Sequence, residues 1–102
     1  MLKMMLAIEL PRKEIAEFCR RGHICRLALF GSVLRADFGP DSDVDVLVQF
    51  EPGHVPGLAF FGMQERLSEL FGRKVDLHTP QSLSRHFRDA VLSEAEVIYA
   101  SS

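Results

Sequence analysis

Residues 29–48, LFGSVLRADFGPDSDVDVLV, contain the end of one predicted strand, a turn and the start of the next strand. The apolar run Ile24–Phe30 lies between two glycines and predicts the first strand. Residues 38–42 include Gly-Pro-Asp, which predicts a turn. Residues 43–50, DVDVLVQF, predict the second strand. Acidic residues therefore stand at the start of a strand whose later part is apolar.

The two aspartates of the second strand, Asp43 and Asp45, are spaced to lie on one side of it, because residues i and i+2 of a strand share a face. Their Cα atoms are about 6.5 Å apart along the strand. Side chains at that spacing can converge on one cation or on two metal ions about 3.5–4 Å apart. A divalent metal would also offset the repulsion between neighbouring carboxylates. A half-exposed strand with two aspartates on its polar face is the alternative that this pair leaves open.

Three further features point to phosphate and metal chemistry. Gly31-Ser32 follows the first strand, where a glycine lets backbone amides approach a phosphate and a serine hydroxyl can bond to it. Arg35 follows three residues later and can act as a forked phosphate donor. Asp76 is an isolated carboxylate inside another short apolar strand. If that strand lies beside residues 43–50, three carboxylates converge, enough for two Mg²⁺ ions and a nucleoside triphosphate.

The rest of the chain alternates between helix and strand patterns. The predicted elements are a helix at 11–21 ending at Gly22, one helical turn at 33–37, a helix at 58–71 ending at Gly72, a strand at 74–78, a helix beginning at Thr79 and Pro80, and a strand at 97–100. The last helix is expected to bury Leu83, Phe87, Ala90 and Val91. We expect a single domain over residues 1–102, of the α+β class, with about four strands in a small mixed sheet and helices packed on one face.

Composition excludes several classes of protein. The 102 residues include 12 basic and 14 acidic side chains, a net charge of −2, which argues against direct nucleic-acid binding through a basic face. No apolar run approaches the roughly 20 residues of a membrane span. Residues 1–10 lack the pattern of a signal peptide, so we expect a cytoplasmic protein without membrane partners.

The cysteines and histidines give little sign of a metal site. Cys19 and Cys25 are too few for a disulfide scaffold and are expected to be reduced. The four histidines are scattered without ligand spacing. His78 alone draws interest, because strand alternation puts it on the side of Asp76. It could touch a ligand or metal, or it could be a solvated residue at the end of a strand.

The motif of a Gly-Ser pair, an Arg, Ser-Asp-x-Asp and a later lone Asp resembles the DNA polymerase β-type nucleotidyltransferase superfamily. More narrowly, it resembles the minimal nucleotidyltransferases, single-domain prokaryotic proteins of about this size. The resemblance covers residues 27–79 and implies a polymerase β-like nucleotidyltransferase fold. Two positions depart from the pattern: Val33 and Ala36 stand where minimal members often have Arg and Gly.

The resemblance assigns a role to each residue of the motif. Gly31 and Ser32 match the phosphate-binding pair, and Arg35 is expected to grip the same β- and γ-phosphates. Ser42 stands directly before the first aspartate, as in the family, and is counted with the nucleotide-binding residues. The carboxylates matching the catalytic and metal-binding set, with two Mg²⁺ ions, are Asp43, Asp45 and Asp76.

The resemblance also implies a function. The chain is expected to use ATP and Mg²⁺ to transfer AMP to a protein acceptor, with Asp76 assisting removal of the acceptor proton. The expected role is that of an antitoxin that adenylylates a tyrosine of a helical HEPN ribonuclease toxin and so neutralises it. The assembly would be a homodimer or a hetero-oligomer with that partner.

Two other functions stay open at this point. Val33 stands where minimal members often have an Arg, and the lack of that Arg favours a non-catalytic antitoxin that inhibits a helical partner by occlusion. A small-molecule nucleotidyltransferase, for example one acting on an aminoglycoside, is the third, although 102 residues leave no room for an acceptor-binding lobe.

Overall fold

The computed structural model describes residues 10–35, 39, 41–54 and 56–101. Within this part of the chain, three α-helices and four strands alternate. The elements are α1 (Arg12–Arg21), β1 (Ile24–Phe30), β2 (Val44–Phe50), α2 (Ala59–Phe71), β3 (Val75–His78), α3 (Arg88–Glu94) and β4 (Glu96–Ala100). Two short 3-10 turns follow β1 and β3, at Gly31–Leu34 and Pro80–Ser82.

The strands form a mixed four-stranded sheet in the order β3-β2-β1-β4 within the described residues. β1 is antiparallel to both of its neighbours, β2 and β4. β2 and β3 are parallel, and α2 is the crossover between them. A parallel pair needs such a crossover because the chain must return to the end of the sheet at which β2 began.

The larger core lies between one face of the sheet and the two long helices. Ile15 and Cys19 of α1 and Leu67 and Phe71 of α2 pack there. The strand residues buried beneath them are Ile24, Leu27, Leu29, Val44, Val46, Val48, Val75 and Leu77. Strand alternation then directs the intervening side chains, including the aspartates, to the opposite face.

That opposite face has a smaller apolar cluster. Ala28 and Leu47 of the sheet pack with Leu83, and Val91 of α3 adds to them. The two long helices thus cover one face as predicted, while the short α3 lies over part of the other. Among the described residues, none covers the rest of this second face at the end where β1 stops and β2 starts.

Sequence patterns located most element ends to within one residue. α1 begins one residue after Pro11, and Gly72, at φ +69°, ends α2 in the left-handed conformation. In the predicted turn at 33–37, the observed 3-10 turn starts earlier, at Gly31, and residues 36–37 lie outside the described part.

The prediction of one continuous helix beginning at Thr79 and Pro80 is wrong, because the helical segment that starts there is much shorter. Thr79 does cap a helical start, but only the 3-10 turn Pro80–Ser82 forms, and α3 begins at Arg88. The Ser82 hydroxyl donates to the Thr79 carbonyl, and the Ser84 hydroxyl accepts from the His86 amide. Such local bonds compete with helix continuation.

The break changes what this segment buries. Leu83 is buried as predicted, but Phe87 is 51% exposed rather than packed in the core. In the described part of the chain, no helix combines the length and apolarity that crossing a membrane requires.

Candidate active site

The parallel pairing of β2 with β3 brings two of the predicted carboxylates together. Asp45 is the register partner of Asp76, and both point away from the face that α1 and α2 cover. The Asp45 side chain is 28% exposed and that of Asp76 is 52% exposed. Two acidic side chains are thus fixed next to each other on an open part of the sheet.

The register of β3 is held from its outer edge by α2. The Val75 amide donates to the Ser68 hydroxyl at 2.9 Å, and the Leu77 amide donates to Gln64 Oε1 at 2.8 Å. These two amides flank Asp76 and satisfy a strand edge that has no neighbouring strand in the described sheet. The helix therefore fixes which residue of β3 stands beside Asp45.

His78 joins the two aspartates, and the interpretation of it as a solvated strand end is wrong. Its Nε2 lies 3.6 Å from Asp45 Oδ1 and 3.4 Å from Asp76 Oδ2, and its side chain is only 27% exposed. Phe30 packs edge-on against the imidazole, with ring centroids 5.3 Å apart. We call Asp45, Asp76 and His78 the active-site cluster.

Burial raises the pKa of Asp45 above its ordinary value of 3.8. The neighbouring charges of Asp76 and Asp43 also raise this pKa, while His78 lowers it by its charge and by a hydrogen bond. Asp43 itself is exposed and precedes β2. The site thus holds three acidic groups near one another with one imidazole to balance them, an electrostatic environment that favours a cation.

Gly31 lies against the Asp45 carboxylate. Its φ is +79°, and a Cβ atom at this position would overlap the carboxylate oxygen Oδ2. Glycine is needed here both for the backbone conformation and for the close approach. The Gly-Ser pair predicted from the sequence therefore lies at the active-site cluster, with Ser32 partly exposed in the turn after β1.

The other predicted nucleotide-binding residues line the surrounding turns. Arg35 donates its backbone amide to the Ser32 carbonyl at 2.9 Å, and its side chain is exposed. The Ser42 hydroxyl accepts from the Gly39 amide at 3.1 Å, so it also shapes the turn before β2. Arg73 donates to the Gly39 carbonyl at 3.1 Å and so ties this turn to the start of β3.

The two departures from the family pattern have different outcomes. Val33 is only 1% exposed and belongs to the larger core. Its side chain therefore packs in the core and does not face the open site. Ala36 lies outside the described residues.

The donor atoms of the active-site cluster fit a divalent cation. One ligand atom from each of Asp45, Asp76 and His78 lies within 4.8 Å of the other two. Carboxylate oxygens are the ligands that Mg²⁺ prefers, and an imidazole nitrogen is common with transition metals. Sequence reasoning found both aspartates, and the i, i+2 spacing of Asp76 and His78 was the signal for the histidine.

Comparison with known proteins places most of the chain in one family. The family model of the nucleotidyltransferase domain matches residues 12–98. A protein adenylyltransferase, MntA, of Thermococcus cleftensis is 38% identical over 89 residues, which cover 86% of this chain and 83% of that protein.

Solved structures agree with this relationship. A structure described as a minimal nucleotidyltransferase superposes with a TM-score of 0.68 at 36% identity, covering 82% of this chain and 85% of that one. The complex of a tri-AMPylated HEPN toxin with an MNT antitoxin of Shewanella oneidensis matches with a TM-score of 0.57. At 20% identity, over 88% of this chain and 70% of that one, this second likeness shows the fold alone. The chain therefore belongs to the nucleotidyltransferase domain family and is an enzyme of the minimal nucleotidyltransferase group.

Proposed function

We propose that this chain transfers AMP from ATP to a hydroxyl of a HEPN ribonuclease toxin and thereby neutralises it. The observation that carries the proposal is the pairing of Asp45 with Asp76 beside Gly31, at the open end of the sheet. Support for the nucleotide comes from the adenylyltransferase relative, which is similar over most of its length. The cytoplasm is the compartment we propose, because ATP is available there.

The metal sites we propose use the three carboxylates of residues 43, 45 and 76, for two Mg²⁺ ions. Bound Mg²⁺ would neutralise phosphate charge and lower the pKa of the attacking hydroxyl. The raised pKa of Asp45 supports this assignment, since burial and like charge make an uncompensated carboxylate costly there. The Nε2 atom of His78 lies 3.6 Å from Asp45 Oδ1 and 3.4 Å from Asp76 Oδ2, so it adds a nitrogen ligand to this set.

The nucleotide phosphates would be held by the turn after β1. Gly31 lets the turn lie directly against Asp45, Ser32 offers a hydroxyl, and the exposed Arg35 can reach over the turn as a forked donor. Ser42 contributes by holding the turn that leads into Asp43. These groups would orient the triphosphate so that its α-phosphorus faces the acceptor.

The acceptor would approach from the side of Asp76. That carboxylate is half exposed, so an incoming hydroxyl can hydrogen-bond to it. The acceptor oxygen forms a bond to the α-phosphorus, the bond from that phosphorus to the bridging oxygen of pyrophosphate breaks, and the acceptor proton passes to Asp76. The products are an AMP-modified hydroxyl and pyrophosphate.

A protein acceptor fits better than a small molecule. The described chain consists of the sheet and the helices packed on it, and it contains no second lobe that would enclose an acceptor. Asp76 is half exposed, so a folded partner can present its hydroxyl to this carboxylate, and the relative from Thermococcus cleftensis is named a protein adenylyltransferase. A tyrosine hydroxyl of a HEPN toxin is the acceptor we propose, in line with the AMPylated toxin in the neighbouring complex.

The test is transfer of label from ATP to a purified HEPN toxin from the same organism. Label at the α-phosphate should appear on the toxin, whereas label at the γ-phosphate should not. Asp45→Asn should abolish transfer, and Glu65→Gln, which removes an exposed charge on α2, should leave it unchanged.

Toxin neutralisation is measured with the same variants. If Asp45→Asn still silences the ribonuclease at equal concentration, binding alone suffices and the occlusion alternative holds. If the α-label does not appear on the toxin, but addition of a small molecule with a hydroxyl group causes release of pyrophosphate from ATP, the proposal of a protein acceptor is wrong. Transfer from the γ-phosphate would overturn the reaction type itself.

A further inference from the structure

A second group of metal-ligating side chains lies at the opposite end of the β1–β2 hairpin. β1 begins at Ile24 and β2 ends at Phe50, and these residues are register partners. His23 and Glu51 directly flank that pair, and the Glu51 amide donates to the His23 carbonyl at 2.8 Å. The backbone thus fixes the two residues side by side, far along the strands from Asp45.

A turn after Glu51 brings His54 to the same end of the hairpin. Its amide donates to the Glu51 carbonyl at 3.0 Å, and its ring stacks on that of His23 with centroids 3.9 Å apart and planes inclined by 15°. His23 has φ +57°, a left-handed conformation that directs its side chain toward this turn rather than along α1. We call His23, Glu51 and His54 the imidazole cluster.

The ligand atoms of the imidazole cluster are close enough to share one ion. His23 Nδ1 lies 3.6 Å from Glu51 Oε1, and one atom from each residue lies within 4.8 Å of the other two. Zinc bonds of about 2.0–2.1 Å place tetrahedral ligands roughly 3.4 Å apart. The side chains of His23 and Glu51 are 52% and 42% exposed, so an ion can reach them from solvent.

We propose that the imidazole cluster is a structural site for a divalent transition metal of the Zn²⁺ class, with water completing the coordination. Two neutral imidazoles and one carboxylate suit Zn²⁺, Ni²⁺ or Cu²⁺ better than Mg²⁺, which prefers oxygen ligands. A bound ion would join the start of β1 to the loop after β2. At a hundred times its dissociation constant, it would raise the folding equilibrium constant about a hundredfold.

Binding requires one local rearrangement that can be observed. Two parallel stacked rings cannot both hold one ion in their ring planes, where the nitrogen lone pairs lie. The His54 ring is exposed and follows a turn, so it can rotate off His23 while Glu51 stays in place. Metal binding and loss of the ring stack are therefore one event.

The experiment is a titration of the full chain with Co²⁺, followed by displacement with Zn²⁺, in the presence of excess Mg²⁺. One equivalent of Co²⁺ should bind, and its visible absorption spectrum should be that of cobalt with nitrogen and oxygen ligands. His54→Ala and Glu51→Gln should each weaken that binding at least about tenfold, as even loss of an outer-shell partner does. His86→Ala, an exposed histidine outside both clusters, is the matched control and should not change it.

A variant with the active-site cluster disabled separates the two sites. Asp45→Asn combined with Asp76→Asn should retain the full Co²⁺ equivalent. Loss of that equivalent in this variant, or its retention in His54→Ala, would overturn the proposal, and so would a thiolate-to-cobalt charge-transfer band. Circular dichroism of each variant ensures that a folded chain is compared.

Nuclear magnetic resonance of the histidine rings gives an independent readout. One equivalent of Zn²⁺ should shift the ring signals of His23 and His54 and leave those of His86 in place. Shifts confined to His78, or no shift of any ring, would show that this cluster is only a pair of stacked imidazoles beside a carboxylate.

Discussion

The two ends of the β1–β2 hairpin have similar residue types in opposite proportions. At one end, Asp45 and Asp76 share a single imidazole, with Asp43 nearby. At the other end, Glu51 lies among two imidazoles. The first set is acidic and partly buried, and the second is more exposed and carries one carboxylate. A hard cation with phosphate ligands suits the first, and a nitrogen-seeking metal suits the second.

The two clusters are also assembled differently. The active-site cluster depends on the register between two strands and on α2, which fixes β3 from outside. The imidazole cluster depends on one hairpin end and the turn that follows it. A substitution that alters strand packing far from the site should therefore disturb the active-site cluster. Only a substitution near the hairpin end or its turn should disturb the imidazole cluster.

The largest effect should come from Asp76→Asn. Loss of the proposed metal-binding carboxylate would remove several kcal/mol of transition-state stabilisation, so the proposed AMP transfer should fall about a thousandfold or more. Zn²⁺ affinity at the imidazole cluster should stay the same, because that cluster lies at the other end of the hairpin. Single-turnover transfer assays and Co²⁺ titration of the same preparation measure both. An equal loss at both ends would show that the clusters are not independent.

Thiol alkylation compares a residue of the larger core with a residue near the start of β1 through the burial of their two thiols. Burial raises the pKa of Cys19 from 9.0 to about 12, so its thiolate is about a thousandfold scarcer than that of an ordinary cysteine. Iodoacetamide at pH 8 should therefore modify the half-buried Cys25 first. Mass spectrometry of timed samples follows the two sites. Faster modification of Cys19 would contradict its buried position.

Gly31→Ala should separate crowding from backbone strain. A Cβ at residue 31 would meet the Asp45 carboxylate, whereas at Gly57, also left-handed at φ +66°, nothing lies within 4 Å. Both alanine variants should lose about 1–2 kcal/mol of folding free energy. Only Gly31→Ala should displace Asp45, and a displacement near 1 Å costs about a hundredfold in rate. Similar rates for the two variants would mean that the close approach at residue 31 has no role.

The smallest effect is a change of stability with pH at Asp45. Its pKa is raised in the folded protein, so the ionised group destabilises the metal-free fold at neutral pH. That cost is fully present above the folded pKa and disappears as pH falls below the unfolded value. Metal-free Asp45→Asn should thus melt at a higher temperature than the parent at pH 7, and the difference should shrink toward pH 4. A lower melting temperature at pH 7 would show that Asp45 is stabilised as an anion.

Short-range rules were sufficient to locate the individual strands and the face of β2 on which Asp45 lies. Alternation along residues 43–50 placed Asp45 on the side opposite the apolar residues. The glycine at position 31 indicated a backbone position where a residue with a side chain would not fit. The pairing that joins Asp45 to Asp76 was a conditional expectation, which the parallel register confirms. The family resemblance supplied that neighbourhood, since strand order does not follow from alternation.

Two features escaped sequence reasoning for different physical reasons. In the imidazole cluster, Glu51 and His54 are three positions apart, but His23 lies 28 and 31 positions before them, so no local spacing along the chain includes all three. Only the antiparallel pairing of β1 with β2 brings His23 to Glu51. The break after Ser82 depends on serine hydroxyls bonding to nearby backbone, where helical periodicity alone predicts one continuous helix.

The hydrogen bonds between α2 and the edge of β3 limit where chains of this kind can gain or lose residues. Gln64 and Ser68 hold the amides on either side of Asp76, so the segment between them and β3 has a fixed residue count. Deleting one residue there would turn the acidic side chain into the apolar interior and an apolar one outward. A change of length directly after Glu51 would move His54 but would leave Asp76 in place, whereas residues 72–74 must keep their number.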